Sequence, residues 1–376
     1  MDRFTSHSDS SPVLTEISRF EEPAATLHPY HVRGALGPLK IPTLNLVLFL
    51  LTLLTTTMAG SNMAGMPVLL SVPATWANLV AGLSFSIPLM LILFAHEMGH
   101  YLTSRRYGVE ATLPYFIPAP LPSVFFIGTF GAFIRMKSPP RSRRAMFDIG
   151  AAGPWAGFIV ALMCLVIGLK RSQVAPLDTS QGGLQLGNAI FFWTISRVML
   201  GVNPDTVNVI LDPIAFAGWL GLLVTTLNLL PVGQLDGGHV VYSLFGARWH
   251  RRISRLFTLG CLLMVVIPMG LNSYLPGLVM RLFHTSQLEF WPGWLFWFML
   301  VLILGLGHPS TMDNVTPLTG MRRLAAWGTI ALFIGTFSPV PASFAPPAAE
   351  PAQPGQMREV GVPANRAIPS AAKLRL

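Results

Sequence analysis

Long uncharged runs alternate with short polar, basic segments along this chain. From Ile41 to Ala95 no residue carries a charge. A membrane-crossing helix needs roughly 20 apolar residues, so this run holds two. The stretch AGSNMAGMP, around Gly60 to Pro67, supplies the turn between them. The pattern predicts spans at about 42–59 and 79–103, then at about 150–169, 213–235, 256–279, 291–307 and 324–341. Residues 105–148 are more polar, and their centre, Ser123 to Ile134, is aromatic, β-branched and glycine-rich. That composition predicts short strands or a hairpin dipping toward the membrane. Residues 170–212 read as a mixed loop with a partly buried helix at 188–200. The expected fold is an all-α polytopic membrane protein of about six to eight transmembrane helices with a short membrane-associated β segment.

Three regions are expected: a polar, disordered tail over 1–40, a transmembrane domain over 41–341 with its catalytic core at about 75–310, and a Pro/Ala-rich disordered tail over 342–376. Residues 1–30 lack an apolar segment of the kind a cleavable secretory signal has, so the run after Lys40 is expected to target the chain to the membrane. No internal repeat is visible.

Composition agrees with the pattern. The 376 residues are 52% hydrophobic and 11% charged, against roughly a quarter charged in soluble domains. The net charge of +9 reads as topology control rather than nucleic-acid binding, because the basic residues sit in short clusters between apolar runs. Arg105, Arg106, Arg135, Lys137, Arg141, Arg143 and Arg144 fall on one side of an up-down count, as do Arg248, Arg251, Arg252, Arg255, Arg322 and Arg323. That side is expected to be the cytoplasm of a bacterial inner membrane. Lys170 and Arg171 fall on the other side and count mildly against it. Cys164 and Cys261 both lie in apolar runs and suggest neither a disulfide nor a metal site.

Chemistry concentrates in His96-Glu97-Met98-Gly99-His100. On a helix, residues i and i+4 share a face, so both imidazoles reach one ion. Zinc accepts such ligands and keeps a position open for water, whose proton Glu97 is placed to take. HExxH alone arises often enough by chance that two surface histidines would be an even bet in a soluble helix. Here the motif continues a long apolar run, where ionisable groups are costly and usually functional. Asp236 is the other carboxylate directly adjoining a long apolar helix, within NLLPVGQLDGGH, and is the candidate third ligand to one Zn²⁺ per chain. Pro231 and the glycines loosen the helix there and expose backbone groups to a substrate.

HEMGH followed far downstream by NLLPVGQLDGGH resembles the site-2 proteases, the intramembrane zinc metalloproteases of peptidase family M50. GTFGAFI, FDIGAAGPWAGF and GHPST look like the subgroup that includes the plant chloroplast EGY proteases and their bacterial relatives. The resemblance covers roughly residues 75–310. It implies that His96, His100 and Asp236 bind zinc, that Glu97 activates water, and that Asn228 helps hold the substrate carbonyl or oxyanion. It also implies membrane-protein substrates within the bilayer. Many bacterial members carry an inserted PDZ domain, for which this chain has no room, so gating by such a domain is not expected.

Other residues have plainer readings beside the functional ones. His239 is either a partner of the site or a helix-end polar residue; His308, before Pro309, weighs toward structure rather than ligation. The segment at Gly128, Thr129, Phe130 and Gly131 is either a loop or a strand that pairs with an unwound substrate. Two further function classes stand against the protease: a polytopic transporter, disfavoured by the missing repeat, and an inactive protease-like scaffold, disfavoured by the intact motifs.

Overall fold

The computed structural model describes residues 42–65, 76–119, 127–176, 183–308, 311, 313, 316–345 and 374–375. The expected N-terminal tail and most of the C-terminal one lie outside them.

Helix α1 runs Thr43–Met63 and α2 runs Trp76–Arg106. A two-stranded antiparallel hairpin follows, β1 at Tyr115–Pro118 and β2 at Thr129–Phe133. Then come α3 (Arg143–Leu169), β3 (Gln173–Pro176), β4 (Gly183–Leu186), α4 (Ile190–Leu200) and β5 (Val207–Ile210). The chain continues through α5 (Pro213–Asn228), α6 (Asp236–Tyr274), α7 (Pro276–Phe283), α8 (Gly293–Leu304) and α9 (Gly320–Thr336). It closes with β6 (Ala342–Ala345) and β7 (Leu374–Arg375). Helices α1, α2, α3 and α6 are long and apolar enough to cross a membrane; α4, α5 and α8 are shorter apolar helices. The protein is a multi-pass, mainly helical membrane protein. Large apolar side chains such as Leu50, Ile159, Met163 and Ile303 point outward, as expected where the surroundings are hydrocarbon.

Packing inside the bundle depends on small residues, because apolar side chains gain little by leaving lipid for protein. A side chain at Gly82 of α2 would overlap the Thr57 carbonyl of α1, and one at Gly168 of α3 would overlap Ala215 of α5. Hydroxyls in these helices find partners locally or across the seam: Thr52 Oγ1 donates to Leu48 O at 2.8 Å, and Thr56 and Ser86 share a hydrogen bond of 2.5 Å. Trp155 Nε1 donates to Thr329 Oγ1 at 3.0 Å, tying α3 to α9. At the basic end Arg322 Nε pairs with Asp148 Oδ2 at 3.0 Å, and Tyr107 hydrogen-bonds the same carboxylate.

Four expectations are corrected in detail. The span expected at 213–235 ends at Asn228, because Pro231 lacks an N–H and cannot continue the helical ladder. The span expected at 256–279 begins at Asp236 and bends at Gly246, whose φ of 81° is open to glycine. Of the β segment expected within 123–134, the described residues 127–134 hold one strand, and its partner lies upstream at 115–118. The C-terminal tail expected to be disordered from 342 onward begins with a strand: Ala342–Ala345 pairs antiparallel with Gly183–Leu186, a bonding opportunity supplied by the free edge of β4. The resulting sheet has the order β3-β5-β7-β4-β6.

Candidate metal centre

The site is assembled from α2, α5, α6 and the hairpin, with Ile149 of α3 completing the lining. The last turns of α2 carry His96, Glu97 and His100, all buried despite being ionisable. Asp236 is the first residue of α6, where a carboxylate is favoured by the helix dipole. Asn228 is the last residue of α5. The end of the hairpin supplies Ala132, Phe133 and Ile134 to the same cavity of about 230 Å³.

The three expected ligands converge. His96 Nε2 lies 3.1 Å from His100 Nε2, and Asp236 Oδ2 lies 3.3 Å from the first and 3.2 Å from the second. Two ligands on one tetrahedral zinc at about 2.0–2.1 Å stand roughly 3.3 Å apart, so the triangle has the dimensions of such a ligand set. Tautomerism strengthens the fit. His100 Nδ1 is 2.7 Å from the Ile149 carbonyl, which can only accept, so Nδ1 carries the proton. Neutral His100 therefore turns a lone pair on Nε2 toward a carboxylate oxygen and a second imidazole nitrogen, an arrangement that a cation stabilises. These residues fit a zinc ion.

Two neighbours complete the chemistry. Glu97 takes a backbone hydrogen bond from Ile134, one residue beyond β2, which ties the candidate base to the hairpin. Asn228 Nδ2 is 3.4 Å from His96 Nε2, so its amide stands beside the ligand set. The loop from Leu229 to Leu235 folds back so closely that side chains at Gly237 or Gly238 would overlap its carbonyls; DGG is thus a packing requirement for bringing Asp236 to the histidines.

Of the expected substrate-contacting residues, Gly128 packs on α1: its carbonyl accepts from Thr55 Oγ1 at 2.6 Å, and its φ is +79°. Thr129 Oγ1 bonds Ile117 O at 2.8 Å within the hairpin. Phe130 is exposed and Gly131 has open space around it. None of these four lines the cavity, which the hairpin meets at 132–134 instead.

Sequence reasoning missed the role of α3. A side chain at Gly153 would overlap His100 Nε2, and one at Gly157 would press on the His96 ring. Gly150 leaves room for His239 in the same way. The three glycines at i, i+3 and i+7 make a smooth face against which the imidazoles lie, and their spacing in GAAGPWAG was the readable signal. His239 lines the cavity and meets His308; His284 lies at the end of α7, outside the ligand group.

Comparison with known proteins places these motifs. Residues 84–269 match the model of peptidase family M50. The chain is 31% identical over 179 residues to the probable chloroplastic zinc metalloprotease EGY2 of Arabidopsis thaliana, a match covering 46% of this chain and 30% of that protein. It is 36% identical over 167 residues to the probable chloroplastic zinc metalloprotease EGY1 of Oryza sativa subsp. japonica, covering 42% and 27%. It is also 36% identical over 178 residues to EGY1 of Arabidopsis thaliana, covering 44% and 30%. The chain thus spans less than a third of the length of these relatives. No solved structure matches it.

Proposed function

We propose, for a chain whose residues 84–269 match the model of peptidase family M50, that the function is hydrolysis of peptide bonds in or near transmembrane segments of membrane proteins. The observation that carries this reading is the triangle of His96, His100 and Asp236, 3.1–3.3 Å on a side, with buried Glu97 lining the same cavity.

In this reading His96, His100 and Asp236 hold zinc. Zinc, when bound, is a Lewis acid that lowers the pKa of water and polarises a carbonyl. Glu97 accepts the water's proton and later returns it to the departing amine. Ile134 N–H fixes the Glu97 carboxylate, and the Asn228 amide donates to the substrate carbonyl oxygen as charge grows there. A transmembrane helix hides its own peptide bonds, so the substrate must unwind; in this reading the extended segment joins the β1–β2 hairpin by backbone pairing. Phe130 stays in the proposal as a contact for such a segment, with Gly131 leaving the approach open. Gly128 and Thr129 serve by shaping the turn.

The catalytic core is placed within about 75–310 and the side of the basic clusters is read as cytoplasmic. The named relatives are chloroplastic, which lends no support to a bacterial inner membrane. A transporter is not favoured.

The test is Glu97→Gln in protein purified with zinc. Metal content should be unchanged, while hydrolysis of a fluorescent casein or a membrane-anchored reporter falls by about 10²–10⁴-fold. His96→Ala, His100→Ala and Asp236→Ala should each lower bound zinc, and His284→Ala should not. Full zinc and activity in Asp236→Ala would remove the third ligand from the scheme.

A further inference from the structure

Two motifs are left unused by the mechanism so far: His239, three residues after Asp236, and His308, in the loop four residues beyond α8. They are 69 residues apart in sequence, yet His239 Nδ1 and His308 Nε2 share a hydrogen bond of 2.7 Å. Both rings are held firmly. Gly150 of α3 admits the His239 side chain, and Tyr242 stacks on His308 with centroids 4.1 Å apart and planes 12° apart. His250 meets the same ring edge-on, with centroids 5.2 Å apart, and His250 Nε2 is itself fixed on the Gly233 carbonyl at 3.0 Å.

The other nitrogen of His239 is the informative atom. Nε2 has no hydrogen-bond partner among the described residues and is not among the buried, unpartnered atoms, while His239 lines the cavity that holds Glu97 and the ligand triangle. Nε2 is therefore the end of the ring open to that cavity. What it presents depends on the proton in the His239–His308 contact. If His308 Nε2 donates, His239 Nδ1 accepts and Nε2 carries a hydrogen; if His239 donates, Nε2 is a bare lone pair.

We propose that His239 is a further catalytic residue, donating Nε2–H to the oxyanion that forms on the cleaved carbonyl, and that His308 is the positioning residue that holds His239 in this tautomer. The inference rests on the protease reading above. No proton is transferred: the carbonyl π electrons move to oxygen as water adds, and His239 contributes a fixed hydrogen bond to that charge, opposite in kind to the proton-accepting Glu97. A neutral, pre-oriented imidazole suits the task because it needs no reorganisation as the charge appears. Tyr242 stacked on His308 and His250 set edge-on to it pack the His308 ring in this orientation.

The experiment uses full-length protein loaded with zinc and labelled with ¹⁵N-histidine, read by imidazole ¹⁵N chemical shifts and by kinetics on fluorescent casein. The variants are His239→Leu, His308→Leu and His308→Gln, with Glu97→Gln as control. Zinc content should stay at the wild-type level in all four. In His239→Leu and His308→Leu, kcat should fall by about 10²-fold with KM little changed. His308→Gln, whose amide N–H can donate to Nδ1, should recover most of kcat. The His239 signal, assigned by its loss in His239→Leu, should report the Nε2–H tautomer in wild type and His308→Gln but not in His308→Leu. Unchanged kcat in His308→Leu, loss of zinc in step with activity, or a lone-pair Nε2 in wild type would each overturn the proposal. Equal cleavage by wild type and Glu97→Gln would instead overturn the protease reading, and the tautomer measurement, which needs no substrate, still decides whether His308 controls His239.

Discussion

A hydrogen atom is the whole side chain of Gly153 because His100 Nε2 occupies the space beside it. The imidazole cannot retreat: its Nδ1 is held by Ile149 O, four residues before Gly153 on the same helix. One helix therefore both anchors the candidate ligand and walls it in. Gly153→Ala should displace His100 and cost zinc binding far more than a typical surface change of within about 0.5 kcal/mol; competition with a chromogenic chelator measures it, and wild-type affinity in the variant would refute the contact. Gly131, with open space around it and φ +98°, is constrained by backbone conformation instead, so its substitution should disturb the hairpin and leave the metal in place.

Elements matter here through where they stop. α5 ends at Asn228 and α6 starts at Asp236, and the tight loop between them sets Asp236 against α2. α6 then turns at Gly246, and buried Arg143 donates to Ser243 O at 3.0 Å just before the bend. A cation at the carbonyl end of the first helical segment is favourable. In the proposed reading the hairpin acts through backbone pairing along β2 and through its end at Ile134. Proline at Thr129 or Ala132 removes an N–H from β2, and the variant whose N–H faces outward should lose casein cleavage while retaining zinc. Unchanged cleavage in both would reduce β2 to a scaffold for Ile134 and Glu97.

At the scale of the whole molecule the question is depth and side. Glu97 and His100 lie six to nine residues before Arg106 ends α2, about 9–14 Å at 1.5 Å per residue. The centre thus lies within a spanning helix but near the end marked by basic residues. Ser104 and His250 are fully buried and would report poorly as labelling sites, whereas Arg106, Arg141 and Arg251 are exposed. Single cysteines at those three positions, in a background lacking Cys164 and Cys261, should react with an impermeant thiol reagent from the same side only. Splitting between the two sides would break the topology, and reaction from the outer face of intact cells would invert it.

Hydrophobic runs, HEMGH and DGGH determined the multi-pass class, the two histidines on one face and the carboxylates worth watching, because helical periodicity and the cost of a charge in lipid are local properties of the chain. Helix ends were legible only approximately, since Pro231 and Gly246 mark a break without stating which residue the helix resumes on. Tertiary structure alone decided the rest. The Ile149 carbonyl orients His100, Gly153 makes room for it, Ile134 reaches Glu97, and His308 finds His239. None of these pairs has a spacing that a helix or a strand would repeat. They exist because small residues let α2, α3 and α6 approach until particular atoms meet, and that approach depends on three dimensions at once.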